Sequence, residues 1–523
     1  MKPGMPLSSL SCFPPGRRPA LVLTLAAAVS GCATDALQRA PAAPDQPWRP
    51  SVSQVSGPGE ASAAVEGFGV VVPEAAIRAP QASEIDLSAA YGLPALIDIA
   101  QRLNPETRQA WNRAREAALA VGMVEATFLP MLSANVIAGY QRTSTPSPLV
   151  IDGQRTIDTD LSAVIPALAL EWLVFDFGQR KALLDGAEQL SYAANVLFNA
   201  SHQKVIRDVT SQFHQYNAAR QRKTLASQAL ANHRRVASAV QERLDAGVAT
   251  TLERAVARQG VAQARLQQVN AEAEERNTYL ALLASVGLPP TAALKVRPPE
   301  RVRLPSATDP VTDDAVRRAL SRRPDIAAAY AAMRAADATV AAAEADFMPK
   351  VYLGAVAARS RSNFDIRGLP QINQQVTTGG VLLGVSVPLY DGGLRRARLM
   401  QEQERADQAA RNLEQAQRDA SREIIAADSV LRAALQSHEA ATSLVGTAQT
   451  AYDAALDAYR EGAGTITLAT EAATDLLEAR LAQSDAYAAA QVAAANLAFV
   501  TGRMAAGRDH WLPTPLSDRG KHD

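Results

Sequence analysis

From Asp176 to Gly287 the chain runs without a proline, broken only by the segment ERLDAGVAT around Gly247. A second stretch, Asp391 to Gly502, does the same and is broken by YREGAGT around Gly462. Asp176 and Asp391, Gly247 and Gly462, and Gly287 and Gly502 are each 215 residues apart, so three landmarks at one offset argue for duplication. Ala, Gln, Glu, Arg and Leu dominate both stretches, which predicts two very long helices joined by a glycine turn in each copy. A helix from Asp176 to Gly247 would be roughly 105 Å long, more than a globular domain is wide. It must pack against its own repeat and against other chains, or else stand as a free coiled coil.

The duplication extends upstream. LPALIDIAQRLNPETRQAW from Leu93 corresponds to VTDDAVRRALSRRPDIAAAY from Val311, because Pro105 matches Pro324 and Pro130 matches Pro349 at an offset of 219. The fall from 219 to 215 puts a length change, and hence a loop, between Pro349 and Asp391. In that interval the apolar period switches to two. Leu132, Ala134, Val136 and Ala138 alternate with Ser133, Asn135 and Gly139, and their partners are Val351, Leu353, Ala355 and Ala357. The returning segment places Leu168, Leu170, Trp172 and Val174 on one face, matched by Leu383, Val385, Val387 and Leu389. Ala169 and Glu171 share the opposite face.

Strands of about ten residues with an apolar outer face and a small or polar inner one suit a membrane barrel. The alternative is a half-buried hairpin in a soluble sheet. Four strands cannot close a barrel, and an open edge has no place in lipid, so the membrane reading requires an oligomer. SPLVIDGQRTID and RSNFDIRGLPQINQQ read as exposed loops at the hairpin tips.

The N-terminus reads as a targeting signal. Arg17 and Arg18 precede LVLTLAAAV, an apolar core too short for an ordinary membrane helix, and VSGC ends it at Cys32. This resembles a bacterial lipobox, which implies an acylated, palmitate-bearing Cys32 as the mature N-terminus; an ordinary cleaved signal with an incidental cysteine is the alternative. Ala33 in the next position resembles sorting onward to the outer membrane. The predicted organisation is a signal peptide over 1–31, a Pro- and Ala-rich arm over 32–84, a first repeat over 85–290, a linker over 291–310, a second repeat over 311–505 and a tail over 506–523.

With 53 basic and 53 acidic residues, the charge balance gives no reason to expect nucleic acid as a partner. The six histidines lack metal-ligand spacing, and no phosphate loop, nucleophile elbow or paired-cysteine motif occurs, so no catalytic residue, metal or cofactor is expected.

The lipobox and two copies of helix, hairpin, long helix, glycine turn and helix, with FDFGQR and YDGGLRR where strand meets helix, together resemble the TolC family of outer-membrane channels over about residues 85 to 505. That resemblance implies a mainly α fold with membrane β: a homotrimer whose twelve strands form one barrel among outer-membrane lipids and whose helices form a periplasmic tunnel. It further implies a Gram-negative outer membrane, a periplasmic adaptor and an inner-membrane pump of RND or ABC type as partners, and passive conduction gated at the periplasmic tip. In such channels an Asp after the first turn is linked to a Tyr before the second. Glu253 stands at that Asp position and Tyr459 at that Tyr, each a few residues from its turn glycine, Gly247 or Gly462. Gly464 stands where the family pattern places an Arg, and Leu468 and Glu471 stand at two acidic positions, so one acidic ring is missing and Leu468 narrows the pore by dewetting instead.

The leading functional reading is the exit duct of a tripartite efflux system for small toxic compounds. The alternatives are the duct of a type I protein-secretion system and, from another class, a periplasmic adaptor or structural coiled-coil lipoprotein.

Overall fold

The computed structural model describes residues 85–504 apart from 87, 152–153, 301, 306–310 and 367–369. The signal peptide, Cys32, the arm over 32–84 and the tail over 506–523 lie outside the described residues. Everything described belongs to one compact unit, Ala82–Asp523.

The first half runs β1 (Ala90–Tyr91), α1 (Leu93–Leu103), α2 (Pro105–Ala126), β2 (Met131–Ile151), β3 (Gln154–Phe175), α3 (Gln179–Asp245) and α4 (Thr251–Val286). The second runs β4 (Lys295–Val296), α5 (Asp313–Leu320), α6 (Pro324–Ala345), β5 (Lys350–Ile366), β6 (Ile372–Ser386), α7 (Leu394–Arg460) and α8 (Ile466–Val500). The long helices α3 and α7 are each 67 residues, about 100 Å at the α-helical rise. They pack with α4 and α8 respectively, while α8 also packs on α3, and α6 lies along both α3 and α7.

Local chemistry explains the boundaries. Pro105 and Pro324 open α2 and α6 at a position where no N–H is needed, and the Asn104 side chain accepts the Glu106 N–H at 2.8 Å. Strand passes to helix through the same clasp twice. The Asp176 carboxylate accepts N–H from Arg180 at 3.0 Å and its Nε at 2.7 Å, and Asp391 does the same with Arg395 at 3.0 and 2.7 Å. Arg180 also donates through Nη1 to Thr127 O at 2.8 Å, tying the exit of β3 to the end of α2. Gly178 and Gly393 enter the helices at φ of 94° and 90°. Gly392 is left-handed too, but its counterpart in the first half is Phe177, held at φ 52° with its ring edge-on to Phe175 at 4.7 Å.

The strands form one antiparallel sheet in the order β2-β3-β5-β6. They are longer than the expected ten residues, at 21, 22, 17 and 15. Most of both predicted tip loops is therefore strand. The ladder continues upward because cross-strand polar pairs carry it: Arg142 grips Asp160 with two bonds of 2.7 Å, and Ser144 donates to Asp158 at 2.6 Å. A separate parallel pair, β1 with β4, closes the small helical layer around α1. There the principal core gathers Leu96, Ile99, Val205, Phe213, Leu282 and Leu283.

Candidate functional site: an apolar sheet and a helical tip

Register decides which side chains share a face. Leu132 stands opposite Leu170, Ala134 opposite Leu168, Trp172 opposite Leu353, and Leu353 opposite Leu383, so the apolar residues of all four strands lie on one side, with Val385 beyond Val351. This face is open: Val136 is 72% exposed and Leu383 67%. Trp172 is half-buried, and its Nε1 donates to Phe128 O at 2.8 Å. Val174 falls within β3, beside the irregularity between Leu173 and Phe175.

Val387 and Leu389, expected on the same strand face, lie beyond it. β6 ends at Ser386 because its partner β5 begins at Lys350, directly opposite, and Pro388 offers no N–H to extend the ladder. The other face carries Ser133, Asn135, Ala169, Glu171 and Gly354, but also Ile137 and Leu382, so it is less uniformly polar than the alternation suggested. Around the helical end of the sheet stand Phe175, Phe177, Phe347 and Tyr390, all more than 40% exposed. Sequence reasoning passed over this aromatic ring, although the paired FDF and LYD segments signal it. Among the described residues the outer edges of β2 and β6 have no strand partner.

At the opposite end of the helices the two glycine turns share one core. Val236, Val240, Tyr452, Leu456, Tyr459, Ile466 and Leu476 pack together from α3, α7 and α8. Each turn is a Schellman cap: Val248 N donates to Arg243 O and Gly247 N to Leu244 O, both at 2.9 Å, while Ala463 N donates to Ala458 O at 2.9 Å and Gly462 N to Tyr459 O at 3.2 Å. Gly247 and Gly462 take φ of 75° and 80°, the left-handed values that this cap demands.

The structure brings Glu253 and Tyr459 to the same end without a hydrogen bond between them. Glu253 Oε2 instead accepts Thr250 N at 2.6 Å, while Thr250 Oγ1 accepts Glu253 N at 3.2 Å, a reciprocal cap at the start of α4. The motif Thr-x-x-Glu at 250–253 signals this cap. Tyr459 is 1% exposed and its hydroxyl is unpartnered. Burial raises its pKa, with the charge of Glu253 adding to the effect. Its actual neighbour is Arg243, whose guanidinium lies 5.2 Å from the ring centroid and donates to Tyr459 O at 3.4 Å.

Leu468 takes the place of Glu253 in the second copy and stands 52% exposed at the start of α8, capped only by Thr465 Oγ1 accepting its N–H at 3.3 Å. Glu471 is exposed one turn further on. Gly464, the departure from the expected Arg, is explained by space: a Cβ there would sit 3.1 Å from Tyr459 N and 3.2 Å from Ala458.

The sequence profile of the outer membrane efflux protein family matches residues 96–288 and 315–503. The chain belongs to that family. Protein CyaE of Bordetella pertussis is 30% identical over 417 residues, 79% of this chain and 84% of its own. Outer membrane protein OprJ of Pseudomonas aeruginosa is 28% identical over 342 residues, 64% of this chain and 69% of its own. Among solved structures, the outer-membrane channel OprN superposes with a TM-score of 0.68 at 23% identity, covering 80% of this chain and 91% of that one. The family and its structural neighbours are TolC-like outer-membrane channels serving efflux and export, not enzymes. This family member is accordingly an outer-membrane channel of Gram-negative type.

Proposed function

We propose that the channel is a homotrimer acting as the exit duct of a tripartite efflux system for small toxic compounds. Twelve strands would form one barrel, and the long helices a tunnel across the periplasm. The duct is passive. A periplasmic adaptor engages the glycine turns and an inner-membrane pump, RND or ABC type, supplies the energy. Cys32 carries the acyl anchor.

The observation that supports this reading is the open-edged sheet with an exposed apolar face. Its unpaired edges and apolar surface are compatible with lipid only if other chains close the ring. Closure at the tip is carried by the contact of half-buried Arg243 with buried Tyr459, with Leu468 as an apolar constriction and Glu471 as a ring of carboxylates.

The test is deletion of the gene in its native host followed by two measurements, intracellular accumulation of a fluorescent cationic dye and the protein content of the medium. Raised dye accumulation with an unchanged medium is expected. Unchanged accumulation with loss of a protein from the medium would overturn the efflux reading in favour of protein secretion.

A further inference from the structure

Midway along the long helices, far in sequence from both the sheet and the tip, a cavity of about 750 Å³ lies between α3, the residues Pro298, Pro299, Val302 and Arg303, α7 and α8. Three guanidinium side chains, Arg220, Arg303 and Arg480, line it, and none of its described lining residues is an Asp or Glu. In a chain with 53 basic and 53 acidic residues this is a local imbalance rather than a share of an overall excess.

None of the three has a carboxylate partner among the described residues. Arg480 donates through Nη1 to Gln228 Oε1 at 3.4 Å and through Nη2 to Gln449 Oε1 at 2.5 Å, and Arg220 donates to Val296 O at 3.3 Å. Arg303 is exposed. Asp485, next along α8 from the wall residue Ser484, is already engaged by Arg222 at 2.8 Å. Neutral acceptors thus orient two partly buried cations and leave all three charges uncompensated. Like charges around one concavity repel each other and favour a counter-anion more strongly than they would on a flat, solvated surface.

The remaining wall includes Pro298, Pro299, Val302 and the Tyr487 ring, whose hydroxyl is fixed by the Val302 N–H at 3.0 Å. A concavity of this volume that sets an apolar patch beside many polar groups suits a small molecule that is itself part apolar and part charged. We propose that this cavity binds a small organic anion with an apolar body, its carboxylate, sulfonate or phosphate groups held by Arg220, Arg303 and Arg480. Guanidinium forks suit such groups because two N–H donors meet two oxygens.

Naphthalene-1,3,6-trisulfonate is a suitable probe, since its three charges keep it out of neutral detergent micelles. Equilibrium dialysis against the purified full-length channel at about 0.1 M salt is expected to show saturable binding with one molecule per chain. Arg303→Gln should weaken it at least about tenfold, and Arg303→Gln with Arg480→Gln further. The control, Arg396→Gln with Arg418→Gln, removes the same charge from exposed helix surface and should bind as wild type does. Arg303 is exposed, so its single variant keeps the question open even if Arg480→Gln fails to fold. Absence of saturable binding, or equal weakening in the control, would overturn the proposal.

Discussion

Glu253 and Leu468 hold the same place, the third residue of the helix that follows each turn, yet only the first has a carboxylate to return to its cap. Glu253→Ala should therefore destabilise the start of α4 by about 1 kcal/mol, read as a lower melting temperature. Tyr459→Phe deletes a buried hydroxyl that has no partner and should leave stability within about 0.5 kcal/mol. Arg243→Ala should cost more, because the cation over the Tyr459 ring and the bond to Tyr459 O are both lost. In planar bilayers Arg243→Ala is expected to conduct better than wild type, and Tyr459→Phe about as wild type does. The reverse order would restore the Glu253 to Tyr459 link as the closing contact. Gly464→Ala must push against backbone at 3.1 Å and should lower stability by about 1 to 3 kcal/mol. Higher on α3, burial holds His214 at about 4 against an ordinary 6.5, so the folded chain keeps it neutral where the unfolded chain takes a proton. The stability that this contributes is complete above about pH 6.5 and is lost as pH falls towards 4. Melting temperatures measured from pH 7 to 4.5 should fall less steeply for His214→Gln than for wild type.

Among the elements, the helices were legible nearly to their ends, whereas the strands were legible in position and face but not in length. Gly247, Gly287, Gly462 and Gly502 all take left-handed conformations at helix ends, whereas Gly186, Gly260 and Gly446 lie inside helices, so the stops were marked by glycines paired at 215 residues and not by glycine alone. Strand ends carry no such mark. Their length depends on what lies across the ladder, and so polar runs such as Arg142 to Ser144 remain strand while Val387 and Leu389 do not. The apolar face, by contrast, survives register because a period of two is kept through Leu168, Leu170 and Trp172 of β3 and through Leu383 and Val385 of β6. Trp172→Arg and Val385→Arg should abolish membrane assembly, each placing a cation where it costs about 2 to 4 kcal/mol in lipid. Glu171→Arg, on the opposite face, should change ion selectivity while assembly persists. Fractionation and native electrophoresis would distinguish the two, and equal damage from both faces would argue for a soluble sheet.

For the whole molecule, the open β2 and β6 edges call for partner chains, and the proposed homotrimer predicts that full-length protein runs as a trimer on native gels and that cysteines introduced at facing edge positions cross-link between chains. Mass spectrometry of the mature N-terminus tests Cys32, and Cys32→Ser should release the acyl anchor while the barrel still inserts. The hairpins differ in height: β2 and β3 have 21 and 22 residues, β5 and β6 only 17 and 15. All exceed the nine to eleven or so needed to cross a bilayer core, and the strands of the first pair are longer than their counterparts by four and seven residues, roughly 13 to 23 Å at about 3.3 Å per residue. In the proposed trimer three tall hairpins alternate with three short ones, giving the outer mouth a crown of turrets rather than a level rim. Those turrets are the part of the channel that antibodies and phages would meet first, and a peptide tag spliced between Ile151 and Gln154 should be labelled on intact cells.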